Sequence, residues 1–257
     1  MKKTSLFSGL FCIILITIIS GQMFGSGNKV VYAVNTLFLP PSNYVIEEFS
    51  KDIDMCGNEE KVFIYGEKQG KNLWENVNVA LISKNGTVTH TNTKNIGGEY
   101  IKYCAEDFNG DGNREILVSF IGGQGVNCIL ADFSHNIPKN IITKKDSAGV
   151  VIKIDFVNDF VLSCKLENNQ LFSIDLAGKK EELVSKGIYN EAGEVVKGKV
   201  KISTPIKIEP CADEHYYNLV FTQEVYEEET NYVLCTVESE MQYKKDVLLI
   251  KKIEYGM

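Results

Sequence analysis

The sequence predicts an all-β protein, a small β-propeller or propeller-like array of about four antiparallel blades. Three observations predict it. After residue 27 no apolar spacing of helical period persists over a useful length. Short alternating or β-branched runs recur instead, separated by turn dipeptides. Acidic segments that lead into apolar runs return at intervals of 55 and then 48 residues, starting from Asp52. A single four-stranded sheet cannot bury both of its faces, whereas sheets packed on one another can, so a repeat of this length reads as a blade.

The N-terminus stands apart from this pattern. Met1-Lys2-Lys3 opens an apolar run from Leu6 to about Ile19, broken only by small residues, which is the layout of a secretory signal. Residues 1–27 are therefore expected to be a signal peptide or signal anchor, and 28–257 the β domain. Gly25-Ser26-Gly27 offers small residues for cleavage, with Val31-Tyr32-Ala33 as a later option. Leu6 to Phe24 approaches the length that spans a bilayer, so the membrane enters only through an uncleaved segment. Loss of the first 27 residues removes two lysines and no acids, moving the formal charge from -7 to -9. A net acidic surface argues against nucleic acid and anionic lipid as partners.

Beyond the signal, strand-like runs cover 61–66, 77–83, 87–91, 116–121, 126–133, 150–156, 160–166, 171–176, 199–208, 217–225, 232–243 and 247–253. Asn85-Gly86 between two of them predicts a two-residue hairpin with positive φ at both positions. Cys12 falls in the signal, leaving Cys56, Cys104, Cys128, Cys164, Cys211 and Cys235. An exported chain permits disulfides. Cys128, Cys164 and Cys235 nevertheless lie inside strand runs, where a thiol behaves as a small hydrophobe. No C-x-x-C pair exists, which disfavours zinc or redox chemistry. The balance favours buried free thiols, with a bridge as the alternative.

Two of the recurring segments align closely. D-I-D-M-C-G-N-E-E begins at Asp52 and D-F-N-G-D-G-N-R-E at Asp107, sharing Asp, Gly, Asn and Glu at the first, sixth, seventh and ninth places. Fainter echoes start at Asp155 and Cys211; both lack the turn glycine and read as plain strand connections. In the second segment Asp107, Asn109 and Asp111 alternate, so a turning backbone can converge their oxygens. Gly112 permits the sharp turn, Asn113 presents its carbonyl, and Glu115 closes the shell. With a water this makes the six or seven hard oxygen ligands that calcium prefers. An EF-hand does not match, because its twelfth place holds Val118 and a strand follows in place of a helix. The alternative is a solvated Asx-turn without an ion.

D-F-N-G-D-G-N-R-E-I-L-V resembles the calcium loop of FG-GAP/VCBS-type repeats, β-propeller modules typified by integrin heads, in which D-x-[DN]-x-D-G-x-x-[DE] precedes a strand. The resemblance covers about 14 residues. It implies Ca2+ as cofactor, with Asp107, Asn109, Asp111, the carbonyl of Asn113, and Glu115 as ligands. In the 52–60 copy Cys56 replaces the third acidic ligand, which weakens the expectation of calcium there.

Other chemistry finds little support. His90, His135 and His215 are not spaced as a metal set, and G-x-S-x-G, H-E-x-x-H and Walker-type patterns are absent. Gly122-Gly123-Gln124-Gly125 lies between strands and reads as a hairpin connection. The acids among residues 224–229 read as a solvated hairpin tip. The leading expectation is an exported, non-catalytic, calcium-stabilised β protein of the cell envelope or extracellular space. The alternatives are a module that binds an envelope glycan or protein through one face, and a polysaccharide-acting enzyme.

Overall fold

The computed structural model describes residues 37, 39–122, 125–134, 138–142, 149–244 and 247–256. The expected signal over 1–27 lies outside the described residues, as do His135 and the middle of the Gly122 to Gly125 connection. Among the described residues every strand pair is antiparallel, and the strands form four sheets, as predicted. Sheet 1 runs β1 (Asn43–Lys51), β2 (Glu60–Lys68), β3 (Trp74–Ile82), β4 (Val88–His90). Sheet 2 repeats that order with β5 (Glu99–Glu106), β6 (Glu115–Gly122), β7 (Gly125–Asp132) and β8 (Lys139–Asn140). Sheet 3 holds β9 (Ile152–Val157), β10 (Val161–Leu166) and β11 (Leu171–Asp175). Sheet 4 contains β12 (Val200–Ile202), β13 (Lys207–Ala212), β14 (Tyr217–Glu227), β15 (Tyr232–Lys244) and β16 (Val247–Gly256).

The sheets bury their apolar faces against one another in the order 1, 2, 4, 3. Val62, Ile64, Val77 and Val79 of sheet 1 meet Ile116, Val118, Phe120 and Ile129 of sheet 2. The other face of sheet 2, through Leu117, Cys128 and Leu130, packs on Leu219 and Phe221 of sheet 4. Sheet 4 then covers sheet 3, bringing Val225, Leu234, Cys235 and Val237 onto Leu162, Cys164 and Ile174. Sheet 4 serves both neighbours because its strands are long. The first half of β14 faces sheet 2 and the second half sheet 3; the register shifts at Val225/Tyr226 against β15 and at Glu240/Met241 in the β15–β16 pairing. Met241 touches both cores.

This order differs from a simple sequential ring, in which sheet 3 would follow sheet 2. A closed ring would need a further strand from the segment before sheet 1, residues 29–39. Of these only Leu37 and Leu39 are described, and they pack on Phe63, Tyr65 and Ala80 of sheet 1. Among the described residues no core cluster joins sheet 1 to sheet 3.

Two local expectations need correction. At the β3–β4 turn only Gly86 has positive φ, +81°. Ser83 N donates to Thr87 O at 3.0 Å and Gly86 N to Ser83 O at 2.8 Å, while Asn85 Oδ1 accepts from Thr87 N. The hairpin loop is thus longer than two residues, with glycine alone in the left-handed position. The run over 199–208 is also two strands. It divides around Pro205, whose missing N–H cannot join a ladder and whose carbonyl accepts from Val126 N. A short helix, α1 (Lys180–Ser185), seats Leu183 in the core between sheets 3 and 4.

All six described cysteines are free. Burial pushes the Cys164 thiol up to about 12 and Cys235 to about 11. Only thiolate attacks an alkylating agent. At pH 8, iodoacetamide is therefore expected to modify the exposed Cys56 and Cys211 quickly, and Cys128, Cys164 and Cys235 only after denaturation, as read by mass spectrometry.

Candidate metal centre

The 107–115 loop joins β5 to β6, and the 52–60 loop makes the equivalent connection from β1 to β2. Their backbones fold the same way. The first-position aspartate accepts the glycine N–H through Oδ2, from Gly57 to Asp52 and from Gly112 to Asp107, at 3.0 Å in each. The third position accepts from the fifth: Cys56 N to Asp54 Oδ1 at 3.0 Å, Asp111 N to Asn109 Oδ1 at 2.7 Å. The closing glutamate accepts from the second position, Ile53 N to Glu60 and Phe108 N to Glu115, at 2.8 Å in both. Gly57 and Gly112 have φ of +87° and +88°, and nothing lies within 4 Å of where a Cβ would sit. Glycine is required there by backbone angle and not by space.

In the 107–115 loop the Asn109 amide links two of the acids, its oxygen accepting from Asp111 N and its nitrogen facing the carboxylates. Asn109 Nδ2 reaches Asp111 Oδ2 at 3.1 Å and Glu115 Oε1 at 2.8 Å. Asp107 Oδ1 accepts from Gly110 N at 2.6 Å. Asn113 turns its backbone N–H and its side-chain amide onto Asp111 Oδ1, at 2.7 and 3.0 Å. Glu115 is 0% exposed. Burial pushes its carboxyl up to about 8, the charges of Asp132, Asp111 and Asp107 add to the rise, and the Phe108 N–H opposes it. Among the described residues no basic side chain pairs with Asp107, Asp111 or Glu115. Hard oxygen donors, an arrangement that buries one carboxylate and a lack of cationic partners together fit a calcium ion held by these residues.

The 52–60 loop offers a different donor set. Ligand atoms of Asp52, Asp54 and Cys56 all lie within 4.8 Å of one another. Asp107, Asp111 and Glu115 form no such group, so their carboxylate oxygens do not all lie within that distance of one another. Asp52 Oδ1 is buried without a hydrogen-bond partner. Cys56 Sγ accepts from Asn58 Nδ2 at 3.3 Å, and hydrogen bonds from Cys56 hold the Asp54 carboxyl below its usual range.

The loops are stitched together in the same order as the sheets. Arg114 N donates to Ile53 O at 2.8 Å, and the Arg114 guanidinium also bonds Asp52 O. Tyr217 N donates to Asp107 O at 2.7 Å, tying in sheet 4. A cavity of about 350 Å³ lies between the three, lined in part by Asp107, Arg114, Asp213 and Tyr216. Sequence reasoning missed Arg114, Asp132 and Tyr217. Arg114 carried a signal, since it is the chain's single arginine among 26 lysines. The two fainter echoes are plain connections, β9–β10 and β13–β14, as expected. Of the acids at 224–229, Glu227 is buried and caps the β14–β15 turn, accepting from Glu229 N and Thr230 N.

A family model described as the YybI C-terminal domain matches residues 150–255, which span sheets 3 and 4. No curated protein matches the chain. Solved structures similar to it include a Bacillus licheniformis rhamnogalacturonan lyase PL11, 13% identical over 83% of this chain and 34% of that one, TM-score 0.35. The exotype rhamnogalacturonan lyase YesX is 14% identical over 95% of this chain and 37% of that one, TM-score 0.36. Rhamnogalacturonan lyase YesW is 10% identical over 95% and 38%, TM-score 0.35. The chain thus spans little more than a third of the length of these structures.

Proposed function

We propose that the chain is an exported, non-catalytic β-propeller-like protein of the FG-GAP/VCBS type, stabilised by calcium, in the cell envelope or extracellular space. The observation that carries this reading is the buried Glu115 carboxylate, which no basic side chain among the described residues pairs with and whose proton the charges of Asp132, Asp111 and Asp107 help to hold. Asp107, Asn109, Asp111 and Glu115 would hold the ion through side chains and Asn113 through its carbonyl. The ion supplies positive charge that converts carboxylate repulsion into a cross-link. Because Asp107 O is bonded to sheet 4 and Arg114 to the 52–60 loop, stiffening this loop stiffens the junction of three sheets. The role is structural, and the loop presents no nucleophile or acid–base pair to a substrate.

An extracellular site of this kind has a Kd of about 10⁻⁴ to 10⁻³ M. Calcium at about 10 mM then adds about 1.4–2.7 kcal/mol by mass action. For a chain of this size that raises the melting temperature by about 3–10 °C. Asp111→Ala is expected to abolish the rise, measured by differential scanning calorimetry with calcium and with EDTA. Identical melting curves in both conditions for the unsubstituted protein would refute the reading.

A further inference from the structure

At the far end of sheet 1 from the 52–60 loop, a cleft of about 470 Å³ opens on the face turned away from sheet 2. The volume lies within the usual range for small-molecule sites. Along β2, Val62 and Ile64 point into the core shared with sheet 2, so Phe63 and Tyr65 point the opposite way. Tyr65 forms part of the lining, together with Glu67 and Asn76, and the chain after β4 supplies the opposite wall with His90, Asn92 and Lys94.

That wall is held in place by bonds that leave its outer groups free. Thr91 Oγ1 accepts from Val79 N at 3.0 Å. Asn78 Oδ1 accepts from Thr93 N at 2.7 Å, and its amide nitrogen donates to Asn76 O. Asn76 Oδ1 accepts from Asn95 N at 3.0 Å. Asn76 and Asn95 sit at φ of +49° and +58°, in the left-handed region that asparagine adopts more readily than other non-glycine residues. The wall is therefore preorganised, which lowers the ordering cost of binding.

One hydroxyl opens on the cleft without a protein partner. Tyr65 is 5% exposed, and its hydroxyl makes no hydrogen bond among the described residues. A ligand hydroxyl in the cleft can take its hydrogen bond from a ring that is already fixed in place. The free groups around it both donate and accept: an imidazole, amides, one carboxylate and one ammonium. The charges of Glu67 and Lys94 cancel, which disfavours a strongly anionic ligand. The lining is amide and hydroxyl in character, which disfavours an apolar one. What remains is a neutral molecule rich in paired hydroxyls, because a planar amide can donate to one hydroxyl and accept from its neighbour. We propose that this cleft binds a neutral saccharide, with the Tyr65 hydroxyl as an inner contact and Asn92 as an outer one.

The test uses the full chain and saturation-transfer NMR with titrations of cellobiose, maltose and N,N′-diacetylchitobiose, with digalacturonate as the charged control. At least one neutral disaccharide is expected to bind. Tyr65→Phe, which keeps the ring in its apolar seat, is expected to weaken binding about three- to tenfold with an unchanged melting temperature. Asn92→Ala, an exposed position, should weaken it independently. The proposal is overturned if no neutral disaccharide gives a signal, if digalacturonate binds better, or if both variants bind as the parent does. Binding should persist in EDTA, since the cleft and the calcium loops lie at opposite ends of their sheets, so failure of one reading is distinguishable from failure of the other.

Discussion

Phe221→Ala is expected to destabilise the protein by about 3–5 kcal/mol, the usual cost of emptying a buried aromatic site. Phe221 is 1% exposed on β14 and meets Phe108, Leu117 and Leu130 where sheet 4 packs on sheet 2. Phe108 is the second residue of the 107–115 loop, so the loss is felt on both sides of the junction. The melting temperature should fall by about 6–20 °C for a chain of this size. Val225→Ala, four residues along the same strand, removes contacts with sheet 3 instead. Its smaller side chain makes the smaller loss, and the two effects should add, because the sites share no core cluster. If Phe221→Ala melted within a degree or two of the parent by circular dichroism, sheet 4 would not be the element that joins the array.

The strands that sequence reasoning found are those with regular alternation or β-branched runs, and nearly all of them are present. Of the three it missed, β8 is only two residues long, and β1 and β5 are bulged. In β1 the register slips between Val45 and Glu47, and in β5 between Glu99 and Lys102, with Tyr100 at φ +50°. A bulge shifts the side-chain alternation by one residue, so a period of two no longer shows. Helix α1 was invisible for a different reason: six residues are under two turns, too few for a helical period to appear. The 107–115 loop was legible because its ligands are local, spaced two residues apart along one turn. The stacking order 1, 2, 4, 3 was not. It depends on β14 turning Leu219 and Phe221 to one neighbour and Val225 to another, and all three look alike in sequence. The cleft at Tyr65 was hidden likewise, since its walls come from strands and a connection that meet only in the folded sheet.

Glu115→Gln should separate the ion from the loop that holds it. The amide keeps the shape and can still accept the Phe108 N–H, but it carries no charge to bind calcium. In calcium the variant is expected to lose the whole stabilisation the ion confers, about 1.4–2.7 kcal/mol at 10 mM. In EDTA the expected result is the reverse in kind. The parent's buried carboxyl is raised from 4.5 to about 8 by burial and by Asp132, Asp111 and Asp107. A carboxyl whose folded pKa exceeds its unfolded one binds its proton more tightly in the folded state, so the ion-free parent gains stability as pH falls from above 8 toward 4.5. The glutamine variant has no such proton to bind and should lack that part of the gain. Melting temperatures of both proteins in EDTA, taken at pH 8.5 and pH 5.5, measure the difference directly. Parallel pH profiles would mean that Glu115 reaches solvent or a cation in the ion-free protein, and the charge argument for calcium at this loop would fail.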